Sequence, residues 1–186
     1  GGHRGHFLSL DLSEQMGTFA LLPQVVAAVR VPVIAAGGIA DATGVRAAMA
    51  LGAAGVQVGT AYLCADEATT TPMHRAALQS EAARHTALTN LFTGRPARGI
   101  VNRVMRELGR AGGEAEHFSG GLSAAPPAFP LATAAMAPLR AAAEKAGRTD
   151  FTSLWSGQNA SGCRSAPAAE ITRALAAGFG AAASGA

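Results

Sequence analysis

Residues 31–60, VPVIAAGGIADATGVRAAMALGAAGVQVGT, hold two apolar runs separated by a helix-forming stretch, and glycine closes each run. The run 31–36 has the length and bounding signals of a buried parallel strand, broken by Gly37-Gly38. Asp41 then caps a helix running to about Leu51, with Val45, Ala48, Met49 and Leu51 at helical spacing and Gly52 as its stop. Residues 55–58 read as a second strand, ended by Gly59-Thr60. Strand ends this close in sequence imply neighbouring parallel strands whose carboxyl ends offer backbone N–H groups to one anion, such as a phosphate. A Cβ at Gly37, Gly38 or Gly59 would obstruct that approach. Ordinary turn geometry accounts for the same glycines, and the residues alone do not choose between the two.

The rest of the chain is arranged around this unit. It opens on the glycine-rich Gly1-Gly2-His3-Arg4-Gly5-His6, which has the character of a loop following a strand. Phe19, Leu22, Val25, Val26 and Val29 fall on one face, so a helix over 18–29 leads into the first strand, with Pro23 in its first turn. The order loop, helix, strand, turn, helix, strand, turn is that of a (β/α) barrel or a doubly wound sheet. Beyond Thr60 the rhythm changes. Helices are expected over 72–84, 102–110, 133–147 and 167–177. Residues 86–104 form a mixed run without a strand, 111–130 a long loop, and the tail from Gly178 frays. Arg103, Arg106 and Arg110 share a helix face, either a solvated basic face or an anion-facing rim.

Composition narrows the function classes. The chain has 186 residues, 49% hydrophobic and 15% charged, enough for one sizeable core of small residues. Its excess of 15 basic over 12 acidic residues argues for no nucleic-acid partner. Neither a signal peptide nor an apolar run of ~18 residues is present in it, so no membrane partner is expected. Cys64 and Cys163 have no metal or CxxC spacing and fit two unpaired, structural thiols in a reducing, cytoplasmic compartment. His74, His85 and His117 have no ligand-like spacing and are expected at the surface, and no metal site is expected.

GGHRG, VPVIAAGGIAD, ALGAAGVQVGTAYL, LTNLFTGRPARGIVN and LWSGQ, in this order over nearly the whole chain, resemble the nitronate monooxygenase family, once called 2-nitropropane dioxygenases. The resemblance implies an α/β chain: an incomplete TIM barrel, represented by its last two strands and their helices in residues 1–68. A mainly helical substrate or lid domain would follow in 69–177 and a flexible tail in 178–186. It also implies FMN. Gly1 and Gly2 would contact the flavin, and His3 would be the active-site residue. The flavin phosphate would sit on backbone N–H groups around Gly37, Gly38 and the turn Gln57, Val58, Gly59 and Thr60, with the Thr60 hydroxyl as a further donor.

The implied reaction is oxidation of an alkyl nitronate by dioxygen to a carbonyl compound and nitrite. A histidine in a glycine-flanked loop suits it, because an imidazole near its ordinary pKa can take a proton from a nitroalkane or hydrogen-bond a nitronate. His6 is the less suitable base. Arg95, Arg98 and Gln158 are candidates for facing the pocket, with structural capping an equal role for the arginines. Relatives sharing the GGH and AAGG pattern include FMN-dependent NAD(P)H:quinone and enoyl-thioester reductases, so a nicotinamide is the alternative electron donor. A reading of another class is a non-catalytic truncated fragment, since a full barrel needs eight strands and ~250 residues. The expectation is then that a barrel-sized portion precedes Gly1 and that these residues alone bind FMN weakly or not at all.

Overall fold

The computed structural model describes residue 2 and residues 8–109 and 121–180. They divide into two compact units. The first holds Gly2 and Gln15–Thr70 together with the described residues from Gly157 on, and the second holds residues 8–14 together with Thr71–Ser156.

In the first unit, helix α1 (Thr18–Ala28) leads to strand β1 (Ile34–Ala36), helix α2 (Ala42–Ala50) and strand β2 (Gly55–Gln57). The strands pair in parallel, Ile34 with Gly55, Ala35 with Val56 and Ala36 with Gln57. Asp41 caps α2 by accepting the Gly44 amide at 2.8 Å. Gly52 stops that helix at φ 92°, and a Cβ there would come within 2.9 Å of Val26, so both its backbone and its packing require glycine. Leu22, Ala35, Ala48 and Ala53 form the core between α1, β1 and α2.

Three expectations are corrected in this unit. The apolar run 31–36 is not a strand buried on both faces. Only 34–36 is extended, and Val31 and Ile34 stay 68% and 55% exposed, because the helices cover just the Ala35 face. Nor do residues 157–177 fold with the segment that follows Thr70. Helix α6 (Ala168–Ala176) lays Ile171 and Leu175, one turn apart, onto Val45 of α2 with Ala61 and Ala65. Glu67 accepts the Ala168 amide at 2.8 Å, which holds its carboxylate below the usual range, and the Asp66 amide donates to Ala166 O at 3.0 Å. Gly178, expected to open a frayed tail, is packed instead. Gly178 is buried, and a Cβ there would meet Ala42 O and Val45 at 2.5 Å.

The second unit contains α3 (Pro72–Leu78), strands β3 (Thr86–Thr89) and β4 (Ala97–Ile100), α4 (Arg103–Leu108) and α5 (Ala132–Lys145). The strands form an antiparallel hairpin, Thr86 opposite Ile100 and Thr89 opposite Ala97, where the sequence predicts none. Three residues of each are buried, so no alternation betrays them, and alanine, glycine and arginine are poor strand markers. Helix α3 stops at Leu78 rather than near Arg84, a short 3-10 turn Glu81–Arg84 following it. Ala87, Leu91, Phe92, Val101, Val104 and Met105 make the core, with Phe92 edge-on to Trp155 at 5.5 Å. Asn102 caps α4 from inside: its Oδ1 accepts the Met105 amide, and its Nδ2 donates to Thr149 O and Thr152 O.

Candidate anion site at two parallel strand ends

The parallel register decides the geometry. Ala36 and Gln57 are partners at the carboxyl ends of β1 and β2, so Gly37-Gly38 and Val58-Gly59-Thr60 leave the sheet side by side. Gly37 and Gly38 have φ of 99° and 80°, a region that glycine alone enters without strain. Gly59 differs: its φ is −111°, and no heavy atom lies within 4 Å of where a Cβ would stand. The protein's own packing does not demand that glycine, and the space beside it is open. Gln57 is exposed at the strand end, Val58 packs half-buried against the α2–α6 core, and Thr60 begins a 3-10 turn Thr60–Cys64.

A distant stretch of chain reaches both turns. The buried Gly157 donates its amide to Thr60 Oγ1 at 2.9 Å, and Asn159 Nδ2 donates to Gly38 O at 3.2 Å. Cys163 Sγ donates to Thr60 O at 3.3 Å. Burial, and next the adjacent Cys64 thiol, push the Cys163 thiol up to about 12. Cys64 and Cys163 form no disulfide. Gly162 passes so close to Ala40 O that a side chain on it would displace one of the two strands of chain.

Of the residues singled out from the sequence, Gly37, Gly38, Gln57, Val58, Gly59 and Thr60 are brought to one place. Gly1 and His3 lie outside the described residues, as do His6, Arg110 and His117, and Gly2 is half-buried. Gly157, Asn159 and Cys163 are additions that spacing does not reveal, since about a hundred residues separate them from Gly38 and Thr60; the LWSGQ motif that ends one residue before Asn159 was the only signal. Gln158 is exposed. Arg98 serves the hairpin, its NH1 donating to Thr86 O at 3.3 Å. Arg103 is a solvated pair with Glu107 at 2.7 Å. His74 is not a surface residue: it is half-buried, with Nε2 3.0 Å from Trp155 O, and burial lowers its pKa more than that bond raises it. Among the described residues no cluster of metal-ligating side chains occurs.

In α/β folds ligands bind outside the carboxyl ends of the strands, and this α/β chain gathers its glycine turns there. A family model described as nitronate monooxygenase matches residues 1–178. The chain belongs to the nitronate monooxygenase family, a family of oxidoreductases. It is 39% identical over 177 residues to a nitronate monooxygenase of Pseudomonas aeruginosa, covering 94% of this chain and 47% of that one. Among solved structures, nitroalkane oxidase from Streptomyces ansochromogenes superposes with a TM-score of 0.73 at 38% identity, over 88% of this chain and 44% of that one. FabK from Thermotoga maritima does so with a TM-score of 0.65 at 29% identity, over 89% and 49%. The chain thus spans less than half the length of these relatives.

Proposed function

We propose that this chain carries the FMN-phosphate corner of an enzyme that oxidises alkyl nitronates with dioxygen to a carbonyl compound and nitrite. The observation that carries the proposal is the pairing of Ala36 with Gln57, which sets two glycine turns side by side at parallel strand ends. The residues fit a phosphate: two positive-φ glycines, open space at Gly59, and a hydroxyl at Thr60 whose proton remains available after the oxygen accepts from Gly157. FMN, when bound, would supply the electron-accepting chemistry. Backbone amides of Gly37, Gly38, Gly59 and Thr60 would hold its phosphate, with Gln57 and Val58 shaping the same turn and Gly1 and Gly2 approaching the ring. His3 would hydrogen-bond the nitronate or take the proton of a nitroalkane. On the family resemblance, β1 and β2 are the last two strands of a (β/α)8 barrel and the second unit is the substrate or lid domain. The cytoplasm is proposed as the compartment on cysteine usage alone.

The test is flavin reduction in FMN-loaded protein without oxygen. Propyl-2-nitronate should bleach the flavin, and nitrite should appear once oxygen is admitted; His3→Asn should slow this by about 10²-fold or more. Bleaching by NADH and not by nitronate would replace this reading with a nicotinamide-dependent reductase.

A further inference from the structure

Two glycines in succession give a turn the largest conformational freedom a backbone can have, and a binding site made of such a turn must be held by something else. Gly37-Gly38 is held from a segment that begins about 120 residues later in the chain. Asn159 Nδ2 donates to Gly38 O at 3.2 Å. The carboxamide itself is fixed, because its Oδ1 accepts both the amide of Ser161 at 3.1 Å and the hydroxyl of Ser161 at 2.7 Å. The Ser161 N–H can only donate, so it sets which end of the amide is oxygen and therefore which end faces Gly38. The peptide linking Gly38 to Ile39 is planar, so fastening its carbonyl on one side aims its N–H to the other.

The neighbouring turn is held by the same segment. Gly157 N–H occupies one lone pair of Thr60 Oγ1, and Cys163 Sγ fastens the Thr60 carbonyl, hence the plane of the next peptide. Gly162 lets this segment lie directly against Ala40 O. Residues 157–163 thus touch both halves of the corner and set the spacing between them.

We propose that Asn159 is a positioning residue for the phosphate corner, oriented by Ser161 and acting through the Gly38 carbonyl. The proposal rests on the reading of that corner as a phosphate site. Asn159 does not contact the ligand in this account. By fixing the Gly38–Ile39 peptide it fixes the course of the turn whose Gly37 and Gly38 N–H groups do.

The test compares FMN with riboflavin, which lacks the phosphate, by quenching of flavin fluorescence, and follows amide hydrogen exchange at residues 37–39. Wild-type protein should prefer FMN. Asn159→Ala should cut that preference by about 2- to 10-fold, the worth of one hydrogen bond, while riboflavin affinity stays unchanged. Exchange at Ile39 should quicken in the variant with no flavin present. Ser161→Ala should act in the same direction more weakly. Asn159→Ala that keeps the full preference, or that loosens FMN and riboflavin equally, overturns the positioning role. A wild-type chain with no preference for FMN overturns the phosphate site itself, whatever the exchange at Ile39. Unchanged exchange at 37–39 overturns the tether.

Discussion

The amide of Gly157 and the hydroxyl of Thr60 meet at 2.9 Å across 97 positions of sequence, and Gly157 is buried. Thr60→Val keeps the shape and removes the hydroxyl that accepts the buried Gly157 amide. The variant should lose about 1–3 kcal/mol in urea unfolding, and Thr60→Ser should lose much less. Equal losses would mean that the methyl group contributes as much as the hydroxyl.

Asn102 stands in the same position in the second unit, buried and joined to Met105 N, Thr149 O and Thr152 O. Asn102→Leu strips a helix cap and takes a donor from two carbonyls at once, of which Thr149 O keeps the Thr152 amide. A loss of about 2–4 kcal/mol is expected, with an unfolding midpoint lowered at unchanged denaturant slope. Asn102→Asp keeps the cap acceptor but not the donors, so it should rescue little.

Cys163, with its thiol at about 12, and the fully buried Cys64 should both be unreactive in the folded chain. At pH 8 the thiolate fraction of such a group is on the order of 10⁻⁴, so a disulfide reagent should react about a thousandfold more slowly than with an ordinary cysteine. Unfolding in guanidinium should release two fast-reacting thiols. A fast equivalent in the native protein would contradict the burial.

His74 gives the chain a pH dependence of known sign. Its pKa in the folded state lies below the ordinary 6.5, burial outweighing the Trp155 carbonyl. Between the two values the unfolded chain binds more protons, so stability is whole above about 6.5 and falls as the pH drops toward the folded value. His74→Gln should flatten that fall when unfolding midpoints at pH 7.5 and 5.5 are compared. The remaining histidines are common to both proteins and cancel in the difference.

The elements that were legible in the sequence are those with local signals. Asp41, Gly52 and the 3.6-residue spacing of Val45, Ala48 and Met49 bound α2 closely, and the glycine turns after β1 and β2 announce the corner. The hairpin of β3 and β4 was hidden because its burial does not alternate, and the alanines, glycine and arginine beside its threonines are poor strand markers. The placement of α6 was hidden for another reason. Its apolar stripe says that it packs, not on what, and the partner Val45 lies far back in the chain. Asn159 escaped notice in the same way: an asparagine between Gln158 and Ala160 reads as a turn residue until its partner, Gly38, is known.

Phosphate binding by the two glycine turns is read by titrating the ¹⁵N-labelled chain with inorganic phosphate and following amide chemical shifts. Saturable shifts at Gly37, Gly38, Gly59 and Thr60 are expected, fitting one dissociation constant whose apparent value rises when FMN competes. Phosphate that leaves these four amides unmoved, at concentrations that shift amides elsewhere, would contradict it.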